Sequence, residues 1–165
     1  MAIDTSMEPL EQMIQGIFDA DPILSNVYGP YFDWVQDPQG IPYVRIVPDG
    51  SDGPNQYLML GATVGARKVI TNPCRQFSVF STDKALLTDP NTGILQVISR
   101  NFEAIANIPM PGGQMCLSSF PGMSWGIKYD KSGDNDPHIN ANVWHAYCRF
   151  EFRVERTAGD RKRVV

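Results

Sequence analysis

Residues 130–138, DKSGDNDPH, hold the densest set of groups in this sequence that could do chemistry. Asp130, Asp134 and Asp136 stand on a turn-rich stretch beside His138, and spaced carboxylates on a turn can hold a hard cation such as Mg²⁺ or Ca²⁺. Their register is not that of an EF-hand, because the Asp-x-Asp-x-Asp-Gly order and the distal Glu are missing. His138 and His145 flank a loop with no third ligand in view, so a metal pair is not expected of them. The bland expectation is a solvated turn between two strands, with no metal and no cofactor. The three carboxylates are the weak candidates if a cation does bind.

The three cysteines, Cys74, Cys116 and Cys148, are far apart and form no C-x-x-C. An odd, dispersed set is a poor disulfide framework and a poor zinc site, so buried thiols are expected. No Walker lysine motif, no G-x-G-x-x-G and no H-E-x-x-H occurs. A Ser–His or Cys–His pair forms in space rather than in sequence, and no residue pattern here favours one. The sequence therefore reads as a binding or assembly protein, not an enzyme.

Charge narrows the partners. A formal net charge of −4 argues against a surface that grips nucleic acid throughout. Basic residues gather instead in the C-terminal RTAGDRKRVV, where Arg156, Arg161, Lys162 and Arg163 outnumber Asp160. Such a tail either touches phosphates or an acidic protein neighbour, or is simply a solvated terminus. No apolar run approaches the roughly 18–20 residues of a membrane span, and the N-terminus lacks the regions of a signal peptide. A soluble, non-exported chain is expected, with residues 1–156 as one domain and 157–165 as a basic tail.

The elements that must position these groups are legible from periodicity. Leu10, Met13, Ile14, Ile17 and Phe18 make an apolar stripe at helical spacing. Thr5 and Glu8 have capping-box spacing, Pro9 suits a first turn, and Asp21-Pro22 ends the helix. Residues 26–40 form a turn-rich loop with Tyr28, Tyr31, Phe32 and Trp34, rings that serve either an interface or the subunit's own core. IPYVRIV at 41–47 reads as a strand with Val44 and Ile46 opposing Tyr43, Arg45 and Val47. QYLMLGATVGARKVI gives a hairpin or an extended loop, and QFSVFS another strand.

Ser81-Thr-Asp83 offers caps for a helix that Asp89–Gly93 interrupts and restarts, with Asp89 as cap and Pro90 in its first turn. Leu95, Ile98, Phe102, Ile105 and Ala106 continue at helical spacing toward Pro109. Residues 114–120 and 124–130 are expected to pair as a hairpin about Pro121-Gly122. In the last strand Trp144, Ala146, Cys148, Phe150, Phe152 and Val154 alternate with Arg149, Glu151 and Arg153, so one face should be core and the other free for water or a partner. The fold expected is α+β: an antiparallel-dominated, mixed β-sheet with helices packed on one face, plus long loops or a hairpin.

The run LEQMIQGIF, IPYVRIV, QFSVFSTD, ILQVISRNFEAI and NVWHAYCRFEFRVER resembles the tail-terminator (tail-completion) proteins of long-tailed bacteriophages and related gene-transfer particles. The likeness spans about Met7 to Arg156. It implies a small sheet flanked by helices and assembly as a homo-oligomer, a six-membered ring at the head-proximal end of the tail tube. Such a ring stops tube polymerisation and joins the tail to the head connector or stopper protein. It also implies a place in the virion neck, reached from the host cytoplasm during assembly, with genomic DNA passing through the lumen without specific binding. Interface candidates on this reading are the rings of residues 28–34, the outer face of the last strand (Arg149, Glu151, Arg153) and the tail residues Arg161, Lys162 and Arg163. Another neck protein or a tube-related subunit is the second reading, and a small ligand- or metal-binding enzyme domain the third.

Overall fold

Pro9 opens the first helix. Glu8 is extended ahead of it (φ −63°, ψ 157°), and Pro9 takes an opening position where a missing N–H is no loss, so α1 runs Pro9–Ala20. Leu10, Met13, Ile14 and Phe18 are its buried stripe. The chain then turns on Asp21, whose Oδ1 accepts the N–H groups of Ile23 (2.8 Å) and Leu24 (3.0 Å). Thr5, one half of the expected capping box, lies outside the described residues. Glu8 is itself the residue before the helix, and its carboxylate accepts from Arg75 at 2.6 Å.

The computed structural model describes residues 7–32, 38–48, 58–60, 68–130 and 143–157. Its strands are β1 (Tyr28–Tyr31), β2 (Tyr43–Pro48), β3 (Leu58–Leu60), β4 (Lys68–Thr71), β5 (Cys74–Ser81), β6 (Ala106–Met110), β7 (Gln114–Asp130) and β8 (Val143–Thr157). Helices α2 (Lys84–Thr88) and α3 (Ile94–Glu103) lie between β5 and β6.

β8 is the spine. β5 and β4 pair antiparallel along one of its edges and β7 along the other. β4 and β5 follow one another there, bent at Asn72-Pro73, where the Phe152 N–H donates to the Pro73 carbonyl (2.8 Å). β2 pairs antiparallel outside β5, β3 outside β4 and β6 outside β7, while β1 adds in parallel beyond β2. The outcome is the α+β class expected: an antiparallel-dominated, partly parallel sheet that curls toward a half-barrel, with helices packed against it.

Alternation decides what each face does. Val44 and Ile46 of β2, Phe77 and Val79 of β5, and Ala146, Cys148, Phe150, Phe152 and Val154 of β8 turn toward α1 and α3 and are buried with them. Phe102 of α3 reaches into this layer, its ring 4.8 Å from Phe77 and 5.8 Å from Phe150. Trp144 is partly buried against the same core, and Lys84 of α2 lies 4.7 Å over its ring. The inward set predicted for the last strand is therefore the observed one.

Three local expectations need correction. Helical spacing at Ile105 and Ala106 does not continue the helix: α3 stops at Glu103, Asn107 adopts φ +51°, and Ala106–Met110 pairs with β7 as β6. Ile105 is buried all the same, so the apolar spacing reported burial but not conformation. Pro121-Gly122 does not turn the chain. β7 runs through it, with register slipping from Pro121↔Phe150 to Trp125↔Cys148, and a residue without an N–H fits such an irregularity. Asp89 closes its own turn, accepting from the Asn91 and Thr92 N–H groups (2.8 Å each), whereas Gly93 precedes α3. The open choice for residues 56–70 resolves as β3 pairing with β4.

Candidate functional site

The face turned away from the helices has two ends of different character. At one end Tyr43, Phe80 and His145 are cross-strand neighbours on β2, β5 and β8. Their rings stack in a row, Tyr43 on Phe80 at 4.7 Å and Phe80 on His145 at 4.3 Å, with interplanar angles of 9° and 10°. Tyr31 of β1 meets Tyr43 edge-on at 6.2 Å. One row further along β2, the Arg45 guanidinium sits 5.8 Å from the Tyr31 ring and 5.9 Å from that of Tyr43. Arg45 is 0 % exposed and His145 6 %. β2 is thus buried on both of its opposing sets: Tyr43, Arg45 and Val47 on one side, Val44 and Ile46 on the other.

Cover fades along β8 toward its C-terminal half. His145 is buried, Tyr147 and Arg149 half-buried, Glu151 exposed, and Arg153 and Glu155 partly exposed. Glu155 pairs with Lys68 of β4 at 3.3 Å. Phe120 of β7 stands directly opposite Glu151 and is 51 % exposed. An exposed phenyl ring beside free charges marks this open end as the candidate interaction surface.

Two of the outermost strands, β1 and β6, are poor templates for strand addition. β1 contains Pro30, and β6 contains Pro109 and the left-handed Asn107. Prolines delete donors from an edge and a left-handed residue bends it, which blunts pairing with another chain. Contacts made by these regions must then run through side chains.

Groups that might have done chemistry are otherwise engaged. Burial pushes the Cys116 thiol up to about 11, against a weaker opposing hydrogen bond from Ser118, and burial together with the Glu103 charge pushes Cys148 to about 12. Neither is a thiolate at neutral pH. Glu11 is raised by burial and by the neighbouring Glu8 carboxylate, with Arg75 opposing. Burial also works against the charge on Asp21, but bonds from Asn101 and from the Leu24 and Ile23 N–H groups outweigh it and hold the carboxyl low. One motif escapes the sequence reading: residues 122–126, GMSWG, spell G-x-S-x-G. They lie within β7 in a ladder with β8, not at a sharp strand-to-helix turn, so no nucleophile elbow is formed.

The predicted site residues are scattered rather than gathered. Tyr31, expected as an interface candidate, is 7 % exposed and belongs to the subunit's own second cluster, because Arg45 and Tyr43 hold its ring and its hydroxyl accepts from the Gln39 N–H (3.0 Å). Phe32 packs partly on the main core. Of the described rings in the predicted 28–34 set, Tyr28 alone stays open, at 44 % exposure. Its ring lies over Gly40, where a Cβ would come within 2.5 Å, so a larger residue there would displace the Tyr28 ring. Arg149, Glu151 and Arg153 share the outer face of β8, as alternation required. Trp34, Asp134, Asp136, His138, Arg161, Lys162 and Arg163 fall outside the described residues, and so does the side chain of Asp130. Among the described residues no cluster of three His, Cys, Asp or Glu could hold a metal ion. The cluster of Arg45, Tyr43, Phe80 and His145 was not anticipated; the only sequence signal was an arginine inside an otherwise apolar strand. No family model matches the chain, and no curated protein is similar to it.

Proposed function

We propose that this chain is a ring subunit of a phage neck, closing the head-proximal end of a tail tube as the tail-terminator proteins it resembles do. The observation that carries the reading is the sheet itself. It is an α+β half-barrel whose helices cover one face, while the far face ends in a charged surface on a rigid central strand. A closed ring needs two different surface patches that match each other. With β1 and β6 blunted as edges, patches along those strands meet through side chains. Tyr28, and Leu86 in the middle of α2 at 46 % exposure, offer apolar contacts for such patches.

The purified full chain should sediment and scatter as a closed six-membered ring, visible by negative-stain microscopy. Particles assembled without it should carry overlong tails or lack heads. A chain that stays monomeric, together with normal tails in its absence, would refute the proposal.

A further inference from the structure

Glu151 and Arg153 are an acid and a base two positions apart on the outer face of the central strand. Among the described residues neither has a hydrogen-bond or ion-pair partner, whereas Arg149 is already engaged and Glu155 is held by Lys68. Holding two opposite charges side by side and unpaired gains the subunit nothing by itself. Beside them Phe120, opposite Glu151 across the ladder, is half exposed.

We infer that this patch is a two-fold contact between two copies of the chain. The argument is one of symmetry and charge. Read along β8 the free charges run minus then plus; a second copy turned about a two-fold axis between them runs plus then minus. Each Glu151 then faces the other copy's Arg153, so the surface complements itself with no further partner required. A second copy placed in parallel register would set like charges on like. Isologous two-fold contacts are the commonest kind of self-association, and Phe120 and its mate supply apolar area beside the axis. Nucleic acid fits poorly, since Glu151 would face phosphates. The contact is isologous, so it is not the heterologous contact that closes a ring. It joins two subunits, or two rings face to face, and stands whether or not the ring forms.

Complementary variants test it. Glu151→Arg places Arg on Arg in both symmetry-related pairs, and Arg153→Glu places Glu on Glu. Sedimentation velocity of the full chain should show each variant with two-fold association weakened by about tenfold or more relative to wild type. An equimolar mixture of the two restores attraction in both pairs and should recover two-fold association at wild-type concentrations. Raising salt should weaken the wild-type contact. Wild-type association by either single variant overturns the inference, as does a mixture that fails to recover, or a wild-type chain with no two-fold species. Both side chains lie on the surface, and far-ultraviolet circular dichroism confirms the variants' fold. Six-fold rings persisting in Glu151→Arg while their pairing is lost separate this contact from the ring. Dimers broken by the variants with no ring in any sample would sink the ring reading and leave this one standing.

Discussion

On the helix side of the sheet, Phe77, Phe150 and Phe152 meet Phe102 among aliphatic neighbours, and the packing is mainly apolar, with the Ser119 hydroxyl donating to the Phe102 carbonyl. On the far side, Arg45, His145 and Ser78 are buried as deeply, yet they lie among Tyr31, Tyr43 and Phe80. The first face is held by area removed from water, which has no preferred direction. The second depends on orientation: stacked rings, a cation against ring faces, a histidine at the end of the row. Apolar packing tolerates replacement by residues of similar volume, whereas an oriented polar cluster fails when one member changes.

The largest effect expected from this difference is on the helix side. Phe150→Ala should lower stability by about 3–5 kcal/mol, as emptied aromatic sites do, while Phe150→Leu should cost much less. Equilibrium urea unfolding measures both. A small loss for Phe150→Ala would mean that α3 can collapse onto the vacated space.

Arg45 tests the other face. Arg45→Ala should cost about 2 kcal/mol or more, from the desolvated cation–ring contacts and the packing of the side chain. Arg45→Lys should not restore the loss, because a planar guanidinium stacks where an ammonium cannot. If lysine restores full thermal stability, the site needs only charge and the two faces differ less than their geometry implies.

The pair of half-exposed Glu8 and buried Arg75 ties α1 to β5. Glu8→Gln should cost no more than about 1 kcal/mol and less in high salt, as surface pairs do. The smallest effect concerns Glu11 beside it. Its folded-state pKa is raised, so the folded chain binds its proton more readily than the unfolded one; the stability this gives is present at low pH and lost as pH rises through the folded value. Glu11→Gln should therefore raise the melting temperature slightly at neutral pH, and the gain should vanish in acid. A gain that instead grew in acid would reverse the assignment.

Much of the apolar face was legible from spacing because one strong force acts there with a fixed period. The stripe of α1 and the alternate residues of β8 went where their periodicity put them. Conformation was less legible where burial fits two structures. Ile105 is buried at the end of a helical spacing but follows the last helical residue, and Pro121 resembles a turn but sits in a long irregular strand. The candidate surface was half legible. Alternation placed Arg149, Glu151 and Arg153 on one face, but that Glu151 and Arg153 are left without partners while Glu155 meets Lys68 depends on β4, which is remote in sequence.

By itself, then, the sequence determined the class of fold, the inward faces of α1, α3 and the last strand, and the absence of paired cysteines, all consequences of local period or composition. Tertiary structure alone decided that Arg45 would be buried among rings from β1 and β2, and that the row Tyr43, Phe80 and His145 would assemble from three strands. Those contacts depend on the register between strands far apart in the chain. Strand register is fixed by the whole sheet closing on its core, not by any window of sequence.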